Sequence, residues 1–147
     1  MLGLASKTSE AWVANALAHM DEILVDHALC EQKAAITALS FVSKYPTDDE
    51  LVRKLAALAS EEASHLERVA ALCHARGLSL GYPEKDPYVK RLLSEARPGA
   101  EEHRVDRLLT CAIIEARSCE RLRLLAERLE EPELKALYAE LWPVEAG

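Results

Sequence analysis

Glycine, proline and phenylalanine are scarce, at five, six and one in 147 residues. Ala, Leu, Glu and Arg dominate instead, a balance that favours helix throughout over any sheet. No run of about 18 apolar residues occurs, so no membrane span is expected. The start, Met1 to Ser9, lacks a basic patch followed by an apolar core, so no secretion signal is expected either. The four cysteines, Cys30, Cys73, Cys111 and Cys119, form no CxxC pair. Each lies in a helical pattern, where a lone cysteine behaves as a small buried apolar residue, and a reduced, cytoplasmic setting is expected. A glycine-rich nucleotide loop is absent as well. Basic residues are in deficit, 18 Lys and Arg against 25 Asp and Glu for a net charge of -7. That argues against a general nucleic-acid binder while leaving room for a local basic patch.

Half of the residues are apolar, enough for one core, and the length predicts a single domain over 1–147. The fold class is all-α. A first helix is expected from Ser9, its N-cap, to Lys44, with a break near Met20-Asp21 and a stop before Tyr45-Pro46. A second opens at Thr47-Asp48-Asp49-Glu50, with Thr47 as cap and Glu50 reaching back, and closes at Gly77. From Leu78 to Gly99 three prolines and two glycines enclose a short helical piece around Tyr88 to Ala96. This is a crossover long enough to travel the length of a bundle. A third helix spans Ala100 to Leu129, and a fourth starts at Pro132, a favoured first helical position.

The apolar stripes of these helices carry polar interruptions. The second helix reads Leu51, Leu55, Leu58, Glu62, His65, Val69, Leu72. The first reads Leu24, His27 or Ala28, Glu31, Ala35, Ala38, Val42, and the third Leu108, Cys111 or Ala112, Glu115, Ser118 or Cys119, Leu122, Leu125. The fourth gives Leu134, Leu137 or Tyr138, Leu141 and Glu145. Counted from the turns at about 1.5 Å per residue, the four carboxylates Glu31, Glu62, Glu115 and Glu145 fall near one level of an antiparallel bundle.

A buried carboxylate costs several kcal/mol unless paired or metal-bound, and four at one level would repel one another. Two cations resolve this, and oxygen-rich ligation with imidazole suits iron or manganese better than structural zinc. Ferritin-like carboxylate proteins use a lone Glu on each of two helices and Glu-x-x-His on the other two. Glu31 and Glu115 would be the lone residues, and Glu62-Ala63-Ser64-His65 one Glu-x-x-His. The bland alternative is that each Glu is one of 25 acidic residues on a helix face. His27, one turn before Glu31, reads as a core or supporting residue.

Three strings, Asp26-His27-Ala28-Leu29-Cys30-Glu31-Gln32-Lys33-Ala34-Ala35, Glu61-Glu62-Ala63-Ser64-His65 and Ile114-Glu115-Ala116-Arg117-Ser118-Cys119-Glu120-Arg121, resemble the MiaE family of tRNA hydroxylases. The resemblance extends over nearly the whole chain. It implies a ferritin-like four-helix bundle with a long crossover between the second and third helices. It also implies two iron ions, molecular oxygen as co-substrate, and hydroxylation of the isopentenyl group on a hypermodified adenosine beside the tRNA anticodon. By resemblance Glu31, Glu62, His65 and Glu115 bind iron, with Glu145 and a following histidine completing the site.

The stripe of the fourth helix would next reach position 148, whereas the sequence stops at Gly147 with Pro143 two residues before Glu145. A helix cut short at its C-terminus is therefore expected, with a proline costing about 3 kcal/mol in a helix interior. A tRNA substrate needs phosphate contacts, for which Arg104, Arg107, Arg117, Arg121, Arg123, Lys85, Lys90 and Arg91 are candidates. They read equally as solvated charges paired with Glu101, Glu120 or Glu127. Electrons would come from a separate reductase. Alternatives are a non-catalytic ferritin-like iron protein, an inactive truncated relative, or a metal-free bundle with its carboxylates paired to arginines.

Overall fold

The computed structural model describes residues 4–83 and 86–145, the last by its backbone only. Six helices make up the regular structure of the described residues: α1 (Glu10–Ala18), α2 (Met20–Lys44), α3 (Asp49–Ala75), α4 (Pro87–Ser94), α5 (Ala100–Arg128) and α6 (Pro132–Glu145). Contacts divide the chain into two compact units, His19–Pro83 on the one hand and Met1–Ala18 with Glu84–Gly147 on the other.

The first unit is the α2–α3 hairpin. Helix α2 ends where Pro46 disfavours helix at Tyr45, with the Tyr45 amide donating to Phe41 O at 2.9 Å and the two rings stacked at 6.0 Å. Asp48, rather than the expected Thr47, caps α3: its carboxylate accepts from the Leu51 amide at 3.1 Å. An ionised side chain at the positive end of the helix dipole makes the stronger cap. The far end closes on Gly77, whose φ of +72° suits glycine. There Leu78 N donates to Cys73 O and Gly77 N to His74 O, both at 2.9 Å, the paired bonds of a Schellman motif. Arg76 then donates through Nε and Nη2 to Asp21 Oδ1 at 2.9 and 2.8 Å, tying the end of α3 to the start of α2.

The buried stripe of α3 is Ala59, Glu62, His65, Val69 and Cys73. Leu58, expected in the core, is 41% exposed, because a straight helix turns every 3.6 residues and the stripe drifts off a strict heptad. On α2 the buried residues are Leu24, His27, Ala28, Leu29, Glu31, Ala38 and Phe41.

The second unit pairs α5 with α6 and adds α1 and α4 to α5. Leu134, Tyr138 and Leu141 of α6 are fully buried, as are Cys119 and Leu125 of α5 to within 1%. Helix α6 runs through Pro143 to Glu145, so the proline does not end the helix, although it supplies no backbone donor there. The first helix breaks at His19, one residue before the expected place, and its N-terminal piece belongs to α5. Thr8 donates from its amide and hydroxyl to Glu120 at 3.1 and 2.8 Å, and Arg128 pairs with Glu10 at 3.3 Å. The Arg121 guanidinium lies 4.5 Å over the Trp12 ring, a cation–π contact.

Candidate metal centre

Glu31 stands thirteen residues before Lys44, and Glu62 thirteen after Asp49. In an antiparallel hairpin that places both about 20 Å from the connecting turn. His65 follows Glu62 by one helical turn, on the same face. The three residues are only 5%, 3% and 6% exposed, and each offers a ligand atom within 4.8 Å of the others.

The separations within the cluster suit a shared cation. His65 Nδ1 lies 3.9 Å from Glu31 Oε2 and 4.0 Å from Glu62 Oε2, too far for hydrogen bonds. Two atoms that each bind one cation at about 2.0–2.2 Å can be at most about 4.4 Å apart, and these separations fall inside that limit. The donor set also fits: two carboxylates and an imidazole, with no sulfur among them, suit a hard or borderline divalent ion. Two buried carboxylates facing each other demand positive charge, which a metal supplies. Beside the cluster, His27 Nε2 lies 2.6 Å from the other Glu31 oxygen, Oε1, and is equally buried.

Glu115 belongs to the second unit, half-buried on α5, where the Cys119 thiol donates to its Oε1 at 3.6 Å. Burial pushes the Cys111 thiol, one turn earlier, above its ordinary value against the lowering influence of Arg107, and Glu115 adds to the rise. Glu145 is the last residue of α6, and its side chain lies outside the described residues. The structure thus brings Glu31, Glu62 and His65 together, while Glu115 and Glu145 stand on the helices expected of them.

Two of the arginines read as phosphate contacts are engaged inside the protein. Arg117 donates through Nη2 to Ser6 O and Ser6 Oγ at 2.8 and 2.9 Å and through Nη1 to Thr8 Oγ1 at 3.2 Å, besides pairing with Glu120. Arg121 covers Trp12. Lys90 and Arg91 on α4 are exposed, and Lys85 lies outside the described residues. No sequence signal announced the contacts of Arg117 with Ser6 and Thr8, 111 and 109 positions away, whereas its pairing with Glu120 is among the readings the sequence left open. The Cys119–Glu115 contact, by contrast, follows the i,i+4 spacing and could have been anticipated. Among the described residues no helix is long and apolar enough to cross a membrane.

The chain is 41% identical over 143 residues to a tRNA 2-(methylsulfanyl)-N(6)-isopentenyladenosine(37) hydroxylase of Pseudomonas putida, covering 97% of this chain and 69% of that protein. It is 28% identical over 188 residues to the protein of the same description from Salmonella typhimurium, covering 95% of this chain and 69% of that one. It matches a solved structure, protein 43 with aldehyde deformylating oxygenase activity from Synechococcus, with a TM-score of 0.92 and 41% identity over 99% of this chain and 73% of that one. The fold is therefore ferritin-like. A family model described as tRNA-(MS[2]IO[6]A)-hydroxylase (MiaE) matches residues 2–147, and the chain belongs to the MiaE family.

Proposed function

We propose that the protein is an iron-dependent tRNA hydroxylase that inserts one oxygen atom into the isopentenyl group of the 2-methylthio-N6-isopentenyl adenosine at the anticodon loop. The observation that carries this reading is the convergence of three buried side chains that could hold a metal ion, Glu31, Glu62 and His65, in one hairpin of a chain matched throughout by the MiaE family. The reaction consumes molecular oxygen, two electrons and two protons, and yields the alcohol and one water. A separate reductase supplies the electrons, since the sequence has neither a nucleotide loop nor a CxxC pair. The setting is cytoplasmic, where modified tRNA is found.

When bound, two irons supply oxygen activation, which no acidic or basic side chain can provide for an unactivated carbon. The chain's own contribution is binding and environment. Glu31, Glu62 and His65 offer the metal oxygen and nitrogen donors, and Glu115 and Glu145 are further ligands on the ground of resemblance. Burial of the cluster keeps bulk water from competing for the metal. Ala28 on α2, with Ala59 and Val69 on α3, continues the same buried stripes on either side, so hydrocarbon flanks the charged groups. An apolar prenyl chain is compatible with such walls.

The test loads purified protein anaerobically with ferrous iron, then adds reductant, oxygen and tRNA carrying the prenylated adenosine. The expected product is the hydroxylated nucleoside, heavier by one oxygen atom. Protein that holds two irons and still leaves this tRNA unchanged would sink the reading; iron uptake with growth of a mineral core would favour a storage protein.

A further inference from the structure

The two lone carboxylates share a local arrangement. Glu31 divides its oxygens between two imidazoles: Oε1 lies 2.6 Å from His27 Nε2 and Oε2 lies 3.9 Å from His65 Nδ1. Glu115 likewise has Oε1 in contact with a side chain one turn away, the Cys119 thiol at 3.6 Å. His27 is 6% exposed and Cys119 1%, so bulk water does not compete for either contact. Both pairs are i,i+4 on a single helix, where the backbone itself fixes the separation and side chains lean toward the N-terminal turn. Glu31 leans onto His27, and Cys119 leans onto Glu115.

A carboxylate with both oxygens at liberty can bind a cation through one or both of them and can rotate between the two modes. A neighbour that engages one oxygen leaves the other as the metal-facing atom. We propose that His27 and Cys119 are positioning residues, each holding one oxygen of a lone carboxylate so that the other oxygen, of Glu31 and of Glu115 in its own unit, is the one left to a cation. The proposal rests on the metal-binding reading above. It assigns distinct work to the two histidines near Glu31: His65 is a ligand, and His27 acts only through Glu31. It also gives Cys119 a task that an apolar residue of the same size cannot perform. Groups that orient metal ligands in this way change affinity by about 10–100-fold when removed.

Cobalt(II) titration of the full chain, followed by visible absorption, reads both affinity and ligand geometry. His27→Phe and Cys119→Val should each weaken binding by about 10–100-fold and alter the spectrum. His27→Gln and Cys119→Ser, which keep a donor, should restore most of both. Nitrogen-15 NMR of the unsubstituted, zinc-loaded protein needs no variant to fold: His27 should show an Nε2 that carries its proton and no direct bond to metal, with His65 coordinated. Unchanged affinity and spectra in His27→Phe and Cys119→Val, or His27 bound directly to zinc, overturn the proposal while leaving the metal reading intact. Failure of the unsubstituted protein to bind cobalt at all would overturn the metal reading itself.

Discussion

Asp106 takes three donors from one residue: the Arg97 backbone amide at 2.9 Å and the guanidinium Nε and Nη2 at 2.8 and 2.7 Å. The pair clasps the chain at the entrance to α5, where His103 Nδ1 also lies 3.1 Å from Arg97 O.

The clasp has a defined pH signature. Hydrogen bonds from Arg97 lower the Asp106 carboxyl from 3.8 to about 2. A depressed folded value means that the stabilisation is complete above the unfolded value and is lost as pH falls through the folded one. Asp106→Asn should therefore melt lower than the native protein at neutral pH. The gap should close as pH falls from 3.8 toward about 2. Melting curves followed by circular dichroism check this; two curves that stay parallel across that range would contradict it.

Glu120 anchors the N-terminal segment. Desolvation raises its carboxyl, but hydrogen bonds from Thr8 and Arg117 outweigh that and leave it below the ordinary value. Its stabilisation is accordingly present above the ordinary carboxylate range and lost as pH falls through the lowered value. Glu120→Ala removes the acceptor for Thr8 and Arg117 and should cost about 1–3 kcal/mol. Amide exchange at Thr8 should quicken in the variant, and an unchanged rate there would refute the anchoring role.

Glu62 should show opposite signs with and without metal. Removing a buried carboxylate that faces another relieves repulsion, so metal-free Glu62→Gln should melt at or above the native protein. Metal at about 100 times its dissociation constant adds about 2.7 kcal/mol to a protein that binds it. Cobalt should raise the native melting temperature well above that of the variant. Equal shifts in both proteins would argue against Glu62 as a ligand.

Leu58 and Leu134 separate the expected core from the observed one. Leu134 is fully buried and Leu58 41% exposed. Leu134→Ala should cost about 2–5 kcal/mol. Leu58→Ala should cost under about 1 kcal/mol, in the range of substitutions at partly exposed positions. Denaturant titration of the two variants decides it.

These contrasts mark what could be read from the residues alone. The turns at Pro46 and Gly77 are punctuated by residues whose backbone preferences are local, and the spacing of Glu62 and His65 needs only one helical turn. Both could be read directly. Counting from a turn also sufficed to level Glu31 with Glu62, since the hairpin between them is short. The stripe of α3 slipped because a heptad count accumulates error over several turns, moving the core from Leu58 to Ala59 and from Leu72 to Cys73. The cap moved by one residue because Thr47 and Asp48 are both competent, and only geometry selects between them. The contact of Arg117 with Ser6 was invisible: nothing local distinguishes an arginine that meets Ser6 from one that meets solvent. His19 carries neither glycine nor proline beside it, so its break was legible only as an interruption of the pattern.

That break also sets an order of assembly during synthesis. The α2–α3 hairpin joins helices that are consecutive in the sequence and can close once residue 77 has left the ribosome. Helix α1 emerges first yet has to wait, because Thr8 meets Glu120 across 112 positions and Glu10 meets Arg128 across 118. Closing so long a loop is slow compared with closing a hairpin. Through that interval Trp12, Val13 and Ala16 lack their final covering, and of the six described helices α1 is the one whose apolar face stays open longest to misassociation.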